Sequence, residues 1–391
     1  VNETVDVAVI GGGIHGCGVA QAAAAAGYSV VLLEQQELAF GSSHRSSKLI
    51  HGGLRYLETA QIGLVRESLR ERELLLQLAP DLVHREQFFL PIYRETSRRP
   101  WIITLGLTAY AALAGFRHRT GFRRLARSEW SQLDGLNGDG LQQVFAYWDA
   151  QTDDAQLTRA VMTSARSLGA TLVCPAEFIS AEADADGYRV QYCAEGEAAS
   201  LRCRTLVNAS GPWVNEVLSR VQAPVSQLPM DLVQGTHIVL PGEVHHGIYY
   251  LEAPADRRAV FVMPWHGRTL VGTTETEFQG DPAKVRPLEK EIEYLLDTFR
   301  HYFPQRPDEV LDSFAGLRVL PAGTGAAFSR TRETRLHPDH SPRPRLVTIY
   351  GGKLTAYRAT AQKVMHMLRP TLGPRDALAD TTTLKLAPET D

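Results

Sequence analysis

The chain is poor in cysteine, with four in 391 residues, at positions 17, 174, 193 and 203, and none in a C-x-x-C pair. That spacing excludes a disulfide scaffold or a zinc ribbon, and it fits a reducing cytoplasm. An excess of positive charge is lacking too. With 41 Lys and Arg against 44 Asp and Glu, the net charge of -3 excludes nucleic-acid binding through bulk basicity. The sequence has no internal repeats, no low-complexity tracts, no metal-ligand spacing among its histidines, and no signal-peptide pattern before the first strand pattern. The apolar stretch Trp101 to Phe116 has sixteen residues, fewer than the ~20 a spanning helix needs. Arg98, Arg99 and Pro100 precede it, and Arg117, His118, Arg119, Arg123 and Arg124 follow. Two readings stand for this 98–124 segment: a buried helix, or a helix lying in a membrane interface with Trp101 and the arginines at headgroup level. An apolar share of 44% over this length is that of an ordinary globular chain with room for two interleaved lobes.

The N-terminal pattern is a β-branched run, Val5 to Ile10, then Gly11-Gly12-Gly13-Ile14-His15-Gly16, then an Ala-rich helix ending at Gly27, then a second strand, Tyr28 to Leu33. This is a dinucleotide fingerprint. Gly11 permits the tight turn, Gly13 lets the backbone approach a pyrophosphate, and Gly16 allows close helix–strand packing. The free N–H groups of the helix start, including that of Ile14, face the phosphates. Glu34 follows Gly11 by twenty-three positions, where a carboxylate accepts hydrogen bonds from unphosphorylated ribose hydroxyls. Two later strands also deliver glycine turns to helix starts: LVNASGPW at 206–213 and LVTIYGGKLT at 346–355. Backbone N–H groups at the second of these suit the electron-rich edge of a reduced flavin. Three such turns suit one extended FAD, whereas a nicotinamide cofactor needs only the first.

The densest chemistry lies in Ser46 to Glu58, SSKLIHGGLRYLE, which packs Lys48, His51, Arg55 and Tyr56 around the Gly52-Gly53 pair. A cofactor loop running into a cationic cluster points to redox chemistry on a phosphorylated substrate. Elsewhere, Gln61 to Leu78 reads as a helix with a solvated Arg/Glu face, Asp153-Asp154 opens a helix ending near Gly169, and Pro287 to Phe303 is an amphipathic helix. Phe178-Ile179, Tyr188 to Val190, Ser200 to Val207, Gln234 to Leu240, Ala259 to Met263 and Thr269 to Gly272 read as strands, with His266-Gly267 a hairpin turn. Pro370 to Asp391 reads as a loose polar tail.

The blocks at 46–58, 153–157 (DDAQL), 207–214, 234–239 (QGTHIV), 260–275 (VFVMPWHGRTLVGTTE), 315–320, 329–333 and 351–358 together resemble the FAD-dependent, aerobic glycerol-3-phosphate dehydrogenases. The resemblance implies an α/β fold, with a Rossmann-like FAD-binding domain of the glycine oxidase and D-amino-acid oxidase type and an interleaved antiparallel-sheet substrate domain. The expected division is 1–90, 150–213 and 311–370 for FAD, 91–149 and 214–310 for substrate, and a tail from 371. It also implies hydride transfer from C2 of sn-glycerol 3-phosphate to flavin N5, giving dihydroxyacetone phosphate, with a quinone as acceptor and oxygen in an oxidase branch. The expected location is cytoplasmic, with peripheral contact to the inner face of the membrane, and a homodimer is left open. Cofactor residues carried over are Ser42, Ser43, Ser47, Lys48, Leu49, Gly52, Gly53, Phe178, Ser210, Gly211, Trp213, Gly352, Lys353, Leu354 and Thr355.

For the substrate, the resemblance assigns Arg55, Arg318, Arg332 and Lys353 to the phosphate, and Tyr56 and Thr355 to hydrogen bonds. An Arg fork and a Lys point charge suit that anion. His51 is the first candidate for the base, because an ordinary imidazole titrates near pH 6.5, and His237 is the second. The chain departs from the family at His44 and Arg45, where small residues are usual, and at Glu275, where Asp is usual. Family members commonly continue beyond the last FAD block into a helical domain. Two other readings stay open: a dehydrogenase of a small amino acid or 2-hydroxy acid, against which the surplus of cations speaks, and a flavin-binding protein without turnover.

Overall fold

Two sheets carry the molecule. The computed structural model describes residues 4–58, 60–115, 121–222, 225–323 and 333–388. Among these, nine strands form the first sheet, in the order Val221–Gln222, Ala176–Ala183, Tyr188–Ala194, Glu197–Asn208, Thr4–Ile10, Val30–Leu33 and Thr171–Val173. Leu346–Tyr350 pairs parallel to the end of Glu197–Asn208, and Arg335–Pro338 pairs with it in turn. Thr4–Ile10 lies parallel to both of its neighbours, so it is covered on both faces and reads as a continuous apolar run.

The Ala-rich helix, Ile14–Ala25, is buried along almost its whole length. Helices Asp154–Ser167 and Tyr357–Leu372 flank it, and small residues allow that approach. A Cβ on Gly18 would stand 2.7 Å from the Tyr357 ring. Asp153 caps helix Asp154–Ser167 by accepting from the Gln156 N–H at 3.0 Å.

Ten strands form the second sheet, from Thr276–Phe278 through Met230–Leu240, Arg268–Gly272, Ala259–Trp265, Ile248–Glu252, Val83–Tyr93 and Leu141–Thr152 to Leu49–Ile50. Asp312–Pro321 pairs with Met230 to Val239 of strand Met230–Leu240, and Phe122–Arg124 joins Leu141–Thr152. Val83–Leu90 and Asp312–Pro321 therefore belong to the second sheet, although the expected division grouped them with the nucleotide lobe. Their partners, 141–152 and 230–240, are remote in sequence, and pairing overrides local order. His266 and Gly267, both at positive φ, make the expected hairpin turn.

Two expectations are corrected. Helix Ile62–Leu78 keeps Arg66 and Arg70 exposed, but Glu71 and Arg72 of its expected solvated Arg/Glu face are buried. Glu71 meets Arg358 at 2.6 Å, and Arg72 pairs with Asp149. Nor is the C-terminal segment loose. The last helix runs to Leu372, the N–H groups of Leu378 and Ala379 donate to Ala25 O, that of Leu386 donates to Leu78 O, and Leu386 is buried. Helix Pro100–Leu113 is half-buried: Ile103, Leu107, Tyr110 and Ala111 face the core, while Trp101 and Leu105 are 62% and 61% exposed. No described helix is long and apolar enough to cross a membrane.

Arg358 and Glu71 satisfy each other away from water, so Glu71→Ala leaves a buried cation without its anion. Its expected cost is about 3–5 kcal/mol by urea denaturation, mostly recovered in the Glu71→Leu/Arg358→Met pair. A single variant as stable as the parent would refute that view of the pair.

Candidate active site

One cavity of about 380 Å³ runs from the Gly11 turn to the inner face of the second sheet. Gly11, Gly13, Ile14 and Glu34 line its nucleotide end. Gly11 adopts φ 106°, and a Cβ there would meet Ala209 O at 2.7 Å. Gly16 stays out of the cavity and acts by packing, since a Cβ would lie 1.8 Å from Gly11 O. The Ile14 N–H, first of the helix, donates to Ser43 Oγ at 2.9 Å. Glu34 accepts from the Gly12 N–H at 2.6 Å and the Gln36 N–H at 2.9 Å, which aims its carboxylate along the wall. Burial raises its pKa against the pull of those backbone bonds. Ser42, Ser43, Ser47, Leu49, Gly53, Phe178, Ser210, Gly211 and Trp213 line the middle, and Gly352, Lys353, Leu354 and Thr355 close the far turn. Gly351 and Gly352 there have φ 68° and 117°, and Gly352 packs on His15, where a Cβ would meet Nε2 at 2.0 Å.

The other end is cationic. Arg55, Arg318 and Lys353 line it together with His51, Tyr56 and His237. Lys353 Nζ stands 3.7 Å over the Tyr56 ring. Arg318 donates to Thr274 O at 3.2 Å and Thr273 Oγ1 at 3.1 Å, and lies 3.6 Å from Glu275. The paired glycines 235 and 316 make this possible. A Cβ on Gly235 would meet the Arg318 guanidinium at 2.6 Å, and one on Gly316 would meet Arg45 O at 2.6 Å. The backbone N–H of His51 donates to Thr355 Oγ1 at 3.2 Å, which ties the Ser46–Glu58 segment to the last turn.

His237 is only 1% exposed, its ring is stacked 4.9 Å from Phe314, and its Nε2 is 3.0 Å from Ser47 Oγ. Burial, then Arg318 and Lys48, push its pKa well below 6.5, so it is neutral. Its Nδ1 is buried with no hydrogen-bond partner among the described residues. A proton on Nε2 finds Ser47, whereas one on Nδ1 would be an orphaned donor. This tautomer makes His237 a donor to Ser47.

Two expected cofactor residues lie elsewhere. Lys48 turns away at φ 59° and bonds Asp154 at 2.6 Å and the His44 carbonyl, because a buried ammonium needs an anion. The Gly52 N–H is taken by Tyr110 Oη at 2.8 Å. Neither lines the cavity. Arg332 lies outside the described residues, as do Phe116, Arg117, His118 and Arg119. Sequence reasoning missed Arg45, Tyr147, Tyr250, Arg258 and Phe261, which line the cavity. Strand alternation held a signal for one of them: Tyr249 faces the core, so Tyr250 faces the opposite side.

The family model described as FAD dependent oxidoreductase matches residues 6–358. The chain belongs to that family. This oxidoreductase is 39% identical over 383 residues to a glycerol-3-phosphate dehydrogenase of Pseudomonas aeruginosa, covering 95% of the chain and 73% of that protein. It is 38% identical over 373 residues to a D-erythritol 1-phosphate dehydrogenase of Brucella abortus, covering 94% and 74%. The crystal structure of the Bacillus halodurans glycerol-3-phosphate dehydrogenase complexed with FAD superposes with TM-score 0.77 at 25% identity, over 98% of this chain and 68% of that one. The expected fold and cofactor are therefore those of the protein: an α/β FAD enzyme. The donor set fits FAD, with the Gly11–Gly13 turn and Glu34 for the nucleotide half and the positive-φ Gly351–Gly352 turn for the other.

Because His237 is neutral when folded and titrates near 6.5 when unfolded, its contribution to stability is complete above about pH 6.5 and is lost as pH falls below it. In urea denaturation from about pH 8 to about pH 5, His237→Gln is expected to flatten the acid limb by up to ~1.4 kcal/mol per pH unit. Parallel profiles for parent and variant would contradict a neutral buried imidazole.

Proposed function

We propose that this FAD enzyme oxidises sn-glycerol 3-phosphate at C2 to dihydroxyacetone phosphate and passes the electrons to a quinone. The observation that carries the reading is the convergence of Arg55, Arg318 and Lys353 at the end of the cavity opposite the nucleotide turns. Arg258 joins them. It spends one N–H on Asp256 and another on Glu275 O, and keeps the rest of its fork. A lone carboxylate needs one such partner, so the surplus favours a dianionic phosphate over an amino acid or a 2-hydroxy acid.

Bound FAD supplies a two-electron acceptor beside the substrate carbon. The protein does the rest. Arg318, braced by Thr273 and Thr274, presents its guanidinium to the phosphate, and Arg55 and Lys353 add charge from the 54–57 turn and the last glycine turn. Tyr56 supports Lys353 through its ring face. His51 takes the hydroxyl proton from a position fixed by the Thr355 bond. The neutral His237 donates to Ser47 and so orients that hydroxyl toward the cavity.

The D-erythritol 1-phosphate dehydrogenase relative supports a second reading, in which the polyol chain is longer by one carbon and the phosphate contacts are unchanged. For the acceptor side, helix Pro100–Leu113 exposes Trp101, Ile102 and Leu105 beside the exposed Arg99, a surface suited to an anionic membrane interface where quinone resides.

The deciding experiment is anaerobic reduction of the FAD-loaded protein, followed by loss of its visible flavin absorbance. Rapid bleaching by glycerol 3-phosphate, with none by glycerol, carries the reading; faster bleaching by D-erythritol 1-phosphate moves it to the second. Arg318→Ala should raise KM and lower kcat/KM by about 2 kcal/mol, roughly thirtyfold. A parental KM would remove Arg318 from the phosphate site. Trp101→Ser/Leu105→Ser should reduce co-sedimentation with anionic vesicles and leave flavin reduction in solution at the parental rate; undiminished co-sedimentation would remove the helix from the membrane reading.

A further inference from the structure

Beneath the segment that carries His51 and Arg55 lies a polar cluster drawn from three elements. Asp149 comes from strand Leu141–Thr152, Arg72 from helix Ile62–Leu78 and Tyr110 from helix Pro100–Leu113. All three are buried, at 1%, 0% and 2% exposure. Tyr110 Oη donates to Asp149 Oδ2 at 2.7 Å and accepts from the Gly52 N–H at 2.8 Å. Asp149 Oδ1 also lies 3.3 Å from that N–H. Arg72 Nη1 donates to Asp149 Oδ1 and, at 3.0 Å, to Trp148 O. The cluster thus converges on one backbone N–H, that of the residue between His51 and Gly53.

The geometry leaves that peptide little freedom. A Cβ on Gly52 would meet Leu69 Cδ2 and Tyr110 Oη, each at 2.5 Å. On one side, the His51 N–H is held by Thr355. On the other, Gly53 adopts φ 78° and opens the short 3-10 turn Leu54–Leu57 that carries Arg55 and Tyr56. Just upstream, Leu49–Ile50 pairs with Gln151 and Ala150, next to Asp149 on the same strand. Releasing the Gly52 N–H would free the hinge between the imidazole and the guanidinium without touching either.

We propose that Tyr110, with Asp149 and Arg72 behind it, is a positioning residue for the reaction. The phenol and the carboxylate fix the Gly52 peptide, and through it the relative placement of His51 and Arg55 in the cavity. Tyr110 can act this way because it is both acceptor and donor: it caps the N–H and donates its own O–H to Asp149. Burial raises the Asp149 pKa against the pull of Arg72, whose guanidinium cannot lose its proton, and of the Tyr110 and Gly52 hydrogen bonds. The inference rests on the reading of His51 and Arg55 as substrate-facing residues.

The test is Tyr110→Phe in the FAD-loaded enzyme, with two readouts. Hydrogen exchange needs no substrate. The peptide spanning Ile50 to Leu57 should exchange about tenfold faster, while the Ile14–Ala25 helix is unchanged. Flavin reduction at saturating glycerol 3-phosphate should slow by about tenfold, with a shifted pH profile and parental flavin content. Local exchange and rate that both match the parent overturn the proposal. A fall in thermal stability with general exchange and a parental pH profile also overturns it, leaving the cluster a structural one. If Tyr110→Phe does not fold, Arg72→Met/Asp149→Asn serves. It keeps an oxygen near Gly52 but removes both charges, and should move the same readouts the same way by a smaller factor; no change in either overturns the proposal. A parent enzyme that glycerol 3-phosphate does not bleach would fail the functional reading alone, because the exchange result stands without substrate.

Discussion

Two buried aspartates, 149 and 154, govern the arrangement of the active-site segment. They sit at the end of one strand and the start of the following helix, at 1% and 0% exposure. Asp149 takes Arg72, and Asp154 takes Lys48 together with the Ser46 N–H and hydroxyl. Removing a carboxylate from water costs several kcal/mol unless a cation and further donors replace the solvent. Each aspartate is therefore a fixed point around which polar groups must gather. What they gather is the chain from Ser46 to Gly52, which crosses from the nucleotide sheet to the substrate sheet. Lys48 accepts a left-handed backbone to reach its anion, and that turn carries Ser47 toward the cavity and to His237.

The same constraint, with opposite sign, shapes the cavity. Arg55, Arg258, Arg318 and Lys353 line one end of it. The acidic residues lining it are spread out: Glu34 at the nucleotide turn, Glu216 bonded to Arg220, and Glu275 beside Arg318. Among the described residues the far end therefore carries net positive charge in a partly dehydrated space, where an anion is bound more strongly than in water. His237 responds to the same field. Burial disfavours a protonated imidazole first, and repulsion from Arg318 and Lys48 adds to it, so the ring stays neutral. A donor role to Ser47 is the chemistry left to it.

The fingerprint from Val5 to Glu34 was legible because its constraints are local. A turn, a helix start and an acid at fixed spacing are set by backbone geometry that shows in composition. The strands and the hairpin at His266-Gly267 were legible for the same reason. What was not legible was burial of charge. Arg72 lies 77 positions from Asp149, Lys48 lies 106 from Asp154, and Glu71 lies 287 from Arg358. A helix rich in Arg and Glu looks solvated until those partners are known. Lys48 and Gly52 stood in a block whose neighbours line the cavity, yet both serve the layer beneath it. Alternation along 46–52 is broken by the positive φ at Lys48, so period-two reasoning could not separate the two layers. Arg258 escaped notice because it precedes its matched block and arrives through sheet pairing.

Helix Pro100–Leu113 joins these threads. Its outer face shows Trp101, Ile102 and Leu105, and its inner face carries Tyr110 to the Gly52 peptide. The helix is a rigid rod of about 1.5 Å per residue, so the nine positions from Trp101 to Tyr110 span roughly 13 Å between the exposed apolar side chains and the active-site hinge. Along that path Ile103 and Leu107 are buried, and Thr104 and Thr108 donate to the carbonyls one turn back. Any force that tilts the helix at its exposed end acts on the phenol at its buried end, and the phenol has little slack, with an acceptor bond on one side and a donor bond on the other. A surface that seats Trp101 and Leu105 would therefore act on the same peptide that sets His51 against Arg55, and the energy available for that coupling is bounded by the two Tyr110 hydrogen bonds, on the order of 1–3 kcal/mol.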